Sequence, residues 1–344
     1  MNFQNNRYTL KFADASDNAG ICEIFAASGF SGGLSVQYLR GDTPYESFSA
    51  DGDESRILVI LDNEQHRTAA VGGAVVREEY VSGERAKCAY LTGLKIHPDY
   101  QKRIGFIAKA YAFLHEGIAD CRYCYTTILD DNAPAIAMLE KKHRNMPEYR
   151  YLGHYTTYCF HGGKRLLKLE QNRMDGFADL MQTHFAEQSL VPCDPDYAGF
   201  GEKIFYSYRE NGELKACCFI GDQTAFKQYR MCSYGGIYRL LSHLPTQLFG
   251  YPAFPKPDSI IRHGVVSYLY VKDNDRRLCA DFLRSAAAET DFSLLLWGGF
   301  ENDPLCTAMD HMKAVRYGSR LYSVHWDADS PEISGVIGME AALL

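Results

Sequence analysis

A chain of 344 residues, 46% of them hydrophobic and 23% charged, can bury the cores of two domains of ordinary size. Its formal net charge of -7 argues against broad binding to nucleic acid or to anionic membranes. No apolar run reaches the roughly 18 residues of a membrane span, and the polar start MNFQNNRYTLK does not read as a signal peptide, so the expectation is a cytoplasmic protein whose eleven cysteines are reduced thiols.

In chain order, Tyr8 to Phe12 reads as a strand, Asp14 to Asp17 as a capped start, and Ala19 to Ala27 as a helix with Ile21, Ile24 and Phe25 on one side. The glycine-rich stretch from Gly29 to Ala50 reads as a loop with a short helix at Val36 to Arg40. Arg56 to Asp62 and Thr68 to Tyr80 form a hairpin around Asn63, Glu64 and Gln65. Glu84 to Ile96, rich in aromatic and apolar residues, suits a mostly buried strand that Pro98 stops.

Past the polar turn HPDYQKR, the residues Ile104, Ile107, Ala108, Tyr111, Leu114 and Ile118 recur at three- and four-residue spacing and mark a helix buried along one face. That helix begins beside Gln101, Lys102 and Arg103. Unpaired backbone N–H groups, the helix dipole and two cationic side chains there would attract an anion such as a phosphate. Cys124 to Leu129 reads as a short strand, and Asp130, Asp131 or Asn132 can cap a helix that starts near Ala133 and Pro134 and turns Ile136 and Leu139 inward. A strand pair over Tyr151 to Phe160, closed by the turn His161, Gly162, Gly163, completes a first domain, residues 1–165. Cys121 and Cys124 form a lone CxxC with no second pair or His cluster at metal-ligand spacing, so no metal is expected.

The run from Leu91 to Lys142 resembles the core of the GNAT superfamily of acyl-CoA-dependent N-acyltransferases. Leu94, Lys95, Ile96, His97, Pro98, Asp99, Tyr100 and Gln101 match the strand-to-turn signature, and Asn132 with the helix after it resembles the next motif. The resemblance implies acetyl-CoA or another acyl-CoA as cosubstrate. It places main-chain groups of Leu94, Lys95 and Ile96 along the pantetheine, amides of Gln101, Lys102, Arg103, Ile104, Gly105 and Phe106 on the pyrophosphate, and Asn132 beside the pantetheine arm. It further implies a small-molecule amine or a peptide as acceptor.

The departures matter as much. Ile104 and Phe106 stand where the pattern has glycine, Leu139 where a proton-donating Tyr is common, and Thr92 with Gly93 where a carboxylate is common. Candidates for proton transfer are then Tyr90, Thr92, His154 and Tyr155 on strands that could border the cleft, and the terminal carboxylate of Leu344, because GVIGMEAALL ends apolar like a segment that tucks inward. Three readings stay open: an N-acetyltransferase working by direct attack of a primary amine, a non-catalytic acyl-CoA-binding sensor or binding module, and an acyltransferase for longer or charged acyl groups, since Ile104 and Phe106 change the surroundings of the turn.

Residues 166–344 read as a degenerate copy of the first half. Ile204 to Tyr208 and Leu214 to Ile220 form a hairpin across Asn211-Gly212, Val265 to Val271 a long strand, Arg276 to Ala288 a helix, Phe292 to Trp297 a strand and Tyr317 to Trp326 a last strand. Asn302 to Leu305 echoes Asn132 to Ala135, each with Asn-x-Pro between strand and helix. Only Lys272, Asp273, Asn274 and Asp275 stand at the phosphate turn, and acidic side chains repel a pyrophosphate, so this half is not expected to bind CoA. An insert over about 233–258 is too apolar for a free linker and is expected to pack across a domain face. The expected fold class is α/β (α+β), two tandem GNAT-like domains, each a mixed, mostly antiparallel twisted sheet flanked by helices.

Overall fold

Strands form where the sequence alternates or runs apolar, and helices where apolar residues recur every three or four positions. A computed structural model describes residues 3–4, 7–27, 34–100, 107–141 and 145–344. β1 (Phe3–Gln4) and β2 (Tyr8–Phe12) lead to α1 (Asn18–Ala26) through a capping box, in which Asp14 accepts from the Ser16 amide and Asp17 from the Asp14 amide. β3 (Leu34–Leu39) then replaces the short helix expected at Val36 to Arg40. It pairs antiparallel with residues 228–234, so a partner far along the chain overrides the local preference.

After α2 (Pro44–Ser49), β4 (Glu54–Asp62), β5 (Arg67–Val81) and β6 (Glu84–Ile96) run as an antiparallel meander. α3 (Ile107–Gly117), β7 (Tyr123–Leu129), α4 (Ala133–Leu139) and β8 (Glu148–Phe160) complete the first half. β8 is one strand of 13 residues where a strand pair was expected, because both of its neighbours come from the second half.

The second half contains β9 (Glu170–Gln171), α5 (Phe177–Leu180), β10 (Val191–Pro192), β11 (Glu202–Glu210), β12 (Glu213–Asp222), β13 (Gln228–Tyr234), α6 (Gly236–Leu241), β14 (His263–Val271), α7 (Arg276–Ala288), β15 (Leu294–Phe300) and β16 (Ala314–His325). Asn211 and Gly212, at φ 52° and 83°, make the left-handed two-residue turn that joins β11 to β12.

Among the described residues a single fourteen-stranded sheet runs β1-β2-β4-β5-β6-β7-β16-β8-β15-β14-β12-β11-β9, with β10 also on β5, while β3 and β13 pair apart. Around the β16/β8 ladder the order is a pseudo-twofold repeat, with β4, β5, β6 and β7 answered by β11, β12, β14 and β15. Each half lends its last strand to the other: β16 lies on β7 and β8 lies on β15.

The repeat extends to a shared irregularity. In β6, Thr92 faces Gly73 and Lys95 faces Val71, so Gly93 and Leu94 oppose Gly72 alone. In β14, Ser267 faces Phe219 and Tyr270 faces Cys217, so Tyr268 and Leu269 oppose Cys218 alone. Each is a two-for-one bulge whose first residue has positive φ, 71° at Gly93 and 50° at Tyr268.

α3 and α4 cover one face of the first half through a core that includes Leu58, Ile60, Tyr111, Leu114, Ile128 and Leu139. α1 and α2 cover the opposite face, setting Ile21, Ile24, Phe25 and Phe48 against Val71 and Val75. In the second half α7 buries Cys279, Phe282, Leu283 and Ala286 against β8, β12 and β15. Full burial of one such large apolar side chain contributes about 1.5–3 kcal/mol.

The insert departs from expectation. Ile237, Leu240, Leu244, Leu248 and Phe249 stay exposed, Leu248 by 82%, because the six-residue α6 and the short turn after it bury only Thr246 and Pro252 fully. Among the described residues no helix is long and apolar enough to cross a membrane, and no cluster of His, Cys, Asp or Glu could hold a metal ion.

Candidate active-site cleft

β6 and β7 pair in parallel only from Cys88 to Tyr90 against Tyr123 to Tyr125, and beyond Tyr90 they part. The bulge at Gly93 bends β6 away. A side chain is opposed there by φ of 71° and by the buried Phe48 ring, whose Cζ would lie 2.8 Å from a Cβ, although the second-half bulge carries Tyr268 at φ 50°. The resulting fork holds a cavity of about 270 Å³ that passes between the strands, with Phe25, Tyr38 and Arg40 on one side and Tyr111, Leu139 and Tyr149 on the other.

A buried charge cluster lies beside this cavity. Asp51 takes Arg40 Nη1 on Oδ2 and Lys227 Nζ on Oδ1, each at 2.9 Å, and all three residues are no more than 3% exposed. Burial works to raise the Asp51 carboxyl, but Lys227 and Arg40 outweigh it and hold it below its ordinary value. Burial depresses Lys227 to about 8 in spite of Asp51, which acts in the opposite direction. Next to this group, Arg77 donates to Glu79 at 2.7 Å and to the Tyr125 oxygen at 2.8 Å, and the Tyr125 hydroxyl donates to Glu79 at 2.6 Å.

Among the described residues of this group, three cations and two carboxylates leave one positive charge over, and Lys227 and Arg77 reach the segment 342–344. Lys227 Nζ and Gln223 Nε2 each donate to the Ala342 carbonyl at 2.6 Å, and Arg77 donates to the Leu343 carbonyl at 3.2 Å. Lys227 also reaches Leu344 O at 3.4 Å, and Leu344 lines the cleft.

No protein-family model and no curated protein matches the sequence. Solved structures do match. N-myristoyltransferase of Saccharomyces cerevisiae with bound myristoyl-CoA aligns at a TM-score of 0.62 and 9% identity, covering 98% of this chain and 86% of that one. A GCN5-related N-acetyltransferase from Anabaena variabilis aligns at 0.52 and 12% identity, over 92% and 72% of the two chains. Another, from Kribbella flavida, aligns at 0.50 and 13% identity, over 94% and 73%. The chain has the GNAT fold.

Within that GNAT fold, Leu94, Lys95, Ile96 and Asn132 all line the cleft, as do Tyr90, Thr92 and Leu139. Gln101, Lys102, Arg103, Ile104, Gly105 and Phe106 lie outside the described residues. Asn132 caps α4 by accepting from the Ala135 amide at 3.3 Å. In the second half that duty passes one residue on, to Asp303, which accepts from the Leu305 amide at 2.8 Å, while Asn302 instead donates to the Gly335 carbonyl. Burial lowers the Lys95 ammonium, which sits 4.9 Å from the Phe25 ring centroid.

Of the proton-transfer candidates, Tyr90 shares a 2.7 Å hydrogen bond with Thr127 inside the cleft, and burial raises its hydroxyl. Tyr155 is buried away from the cleft and donates to the Met339 carbonyl at 3.0 Å. His154 is likewise outside the cleft lining, 2.5 Å from Asp130. Sequence reasoning missed Arg40, Asp51 and Lys227. The one available signal concerns Arg40, which the alternation Val36, Tyr38 and Arg40 puts on the same face as Tyr38.

Proposed function

We propose that the protein is an acyl-CoA-dependent N-acyltransferase whose first-half cleft carries acetyl-CoA and passes acetyl to a primary amine on a small molecule or peptide. One observation carries this reading. In the second-half bulge, the Tyr268 amide donates at 2.8 Å to a carboxyl oxygen brought in from outside the sheet, that of Glu340. The matching amide of the first half belongs to Gly93, beside the open cleft, where a thioester carbonyl oxygen takes the corresponding place. The likeness to acyltransferase structures supports the same reading, and the GNAT resemblance implies pairing of the pantetheine along Leu94 to Ile96.

In this mechanism the neutral amine attacks the thioester carbon. A C–N bond forms, the C–S bond breaks, one ammonium proton passes to a base, and the departing thiolate takes a proton to leave as CoA thiol. With Leu344 as the terminal residue, its carboxylate supplies the base; its main-chain oxygen accepts from Lys227 Nζ at 3.4 Å and the residue lines the cleft. Tyr90, kept protonated by burial, is the donor for the thiolate.

Release of CoA thiol should be measured with acetyl-, succinyl- and longer acyl-CoA against a broad amine panel. Turnover fastest with acetyl-CoA is the expected result. Binding without transfer to any amine would instead favour the sensor reading. Deleting Met339 to Leu344 should lower kcat by about 10²–10⁴-fold, the usual worth of a positioned base. Undiminished turnover in a variant that melts like the full chain would remove the terminal carboxylate from the mechanism.

A further inference from the structure

The second half has the same fork as the first, and the chain fills it with its own tail. β14 and β15 pair in parallel from His263 to Val265 against Leu294 to Leu296 and then part, with the bulge residue Tyr268 three positions after the last pair, as Gly93 follows Tyr90. Residues 339–344 enter there. Ala342 and Leu343 are buried with Tyr268 and Leu296 in one apolar cluster, and Met339 is buried in the neighbouring one. Glu340 is 9% exposed, and its Oε1 accepts from the Tyr268 amide at 2.8 Å. The helix that follows the fork is also already satisfied, since Asp275 caps α7 by accepting from the Arg277 and Leu278 amides.

We propose that Glu340 is a pH-sensitive positioning residue: its carboxyl group docks residues 339–344 into the second-half fork and thereby holds Leu344 in the first-half cleft. The consequence for catalysis rests on the acyl-transfer reading above, whereas the docking does not. The groups facing Glu340 are the Ser267 hydroxyl and Tyr268 on β14, the Cys218 thiol on β12, the Tyr155 hydroxyl on β8 and the Asp303 carboxyl before the turn at 304–311. None is a cation. An ionised carboxylate in that place would have one amide and one hydroxyl to replace its water, with a second carboxyl beside it.

Burial accordingly pushes Glu340 up to about 8, with Asp303 adding to the rise and the Tyr268 amide opposing it. The docked segment therefore holds a proton that a released segment gives up. Docking is tightest below the ordinary glutamate value of 4.5, weakens as pH rises, and stops changing above about 8. Asp303, raised to about 6 by burial, titrates in the lower part of that range, and Lys227, which donates to the Ala342 carbonyl and is depressed to about 8, titrates at its top with the opposite sign, so the interval from pH 6.5 to 7.5 isolates Glu340.

Hydrogen exchange of the full chain tests this. Amides of Gly338, Leu343 and Leu344 are bonded to Ser189, Glu340 and Ala341 carbonyls at 2.9, 3.1 and 3.4 Å and report on the tail. After correction for intrinsic exchange, their protection in the wild-type chain should fall about eightfold between pH 6.5 and 7.5. In Glu340→Gln, whose side chain still presents an oxygen to Tyr268 but does not ionise, protection should be flat over that interval. Constant protection in the wild-type chain, or the same fall in Glu340→Gln, would overturn the proposal. The wild-type profile decides the matter by itself if the variant does not fold. A chain with no acyl-transfer activity would sink the function reading and leave the exchange result standing.

Discussion

Asp51→Ala is expected to destabilise the protein by about 3–5 kcal/mol, the cost of stranding buried charge. Among the described residues Asp51 is the sole carboxylate paired with Arg40 and Lys227, and all three side chains are at most 3% exposed. Removing it leaves two cations side by side in a place that water does not reach. Lys227, already depressed to about 8 by burial with Asp51 present, would then lose its charge at lower pH still. Urea unfolding at pH 7 measures the loss. Replacing the whole set, as Arg40→Met, Asp51→Leu and Lys227→Met, should recover most of it, because an apolar set of similar volume carries no desolvation cost. A loss below about 1 kcal/mol in Asp51→Ala would mean that the cluster is hydrated.

Gly93→Val should have the second large effect, and on two readouts together. At φ 71° a β-branched residue is strained, by roughly 1–3 kcal/mol, and its Cβ falls 2.8 Å from Phe48 Cζ. Relief comes by flattening the bulge, which closes the fork where β6 leaves β7 and turns the Gly93 amide away. The melting temperature should therefore fall, and affinity for acetyl-CoA should drop at least tenfold, about 1.4 kcal/mol. A variant that melts lower but binds as before would show that the bulge serves stability alone.

The elements that could be read from sequence are those governed by neighbours along the chain. β6 from Glu84 to Ile96 and α7 from Arg276 to Ala288 fall where expected to the residue, the first ended by Pro98 and the second started by the Asp275 cap. The Gly93 bulge also left a trace, a glycine inside an otherwise apolar strand. Long-range pairing hid the rest. Nothing in residues 36–40 shows that residues 228–234 will pair with them, and nothing in β16 shows that it will lie between β7 and β8.

The cleft divides in the same way. Leu94, Lys95, Ile96 and Asn132 were found through a continuous motif, and the structure brings them to one cavity. Arg40, Asp51 and Lys227 belong to three separate segments whose meeting depends on the β3/β13 pair and the tail. Tyr155 stands on a strand that by sequence could border the cleft, but the second half supplies the partner its hydroxyl takes, the Met339 carbonyl.

In the function proposed above, the first-half fork binds acyl-CoA while residues 339–344 close the second. Calorimetric titration of the full chain with acetyl-CoA tests it most directly. One equivalent bound per chain, with affinity lost in Gly93→Val, is the predicted result. No binding would contradict the role given to the first fork, and two equivalents would contradict the closure of the second.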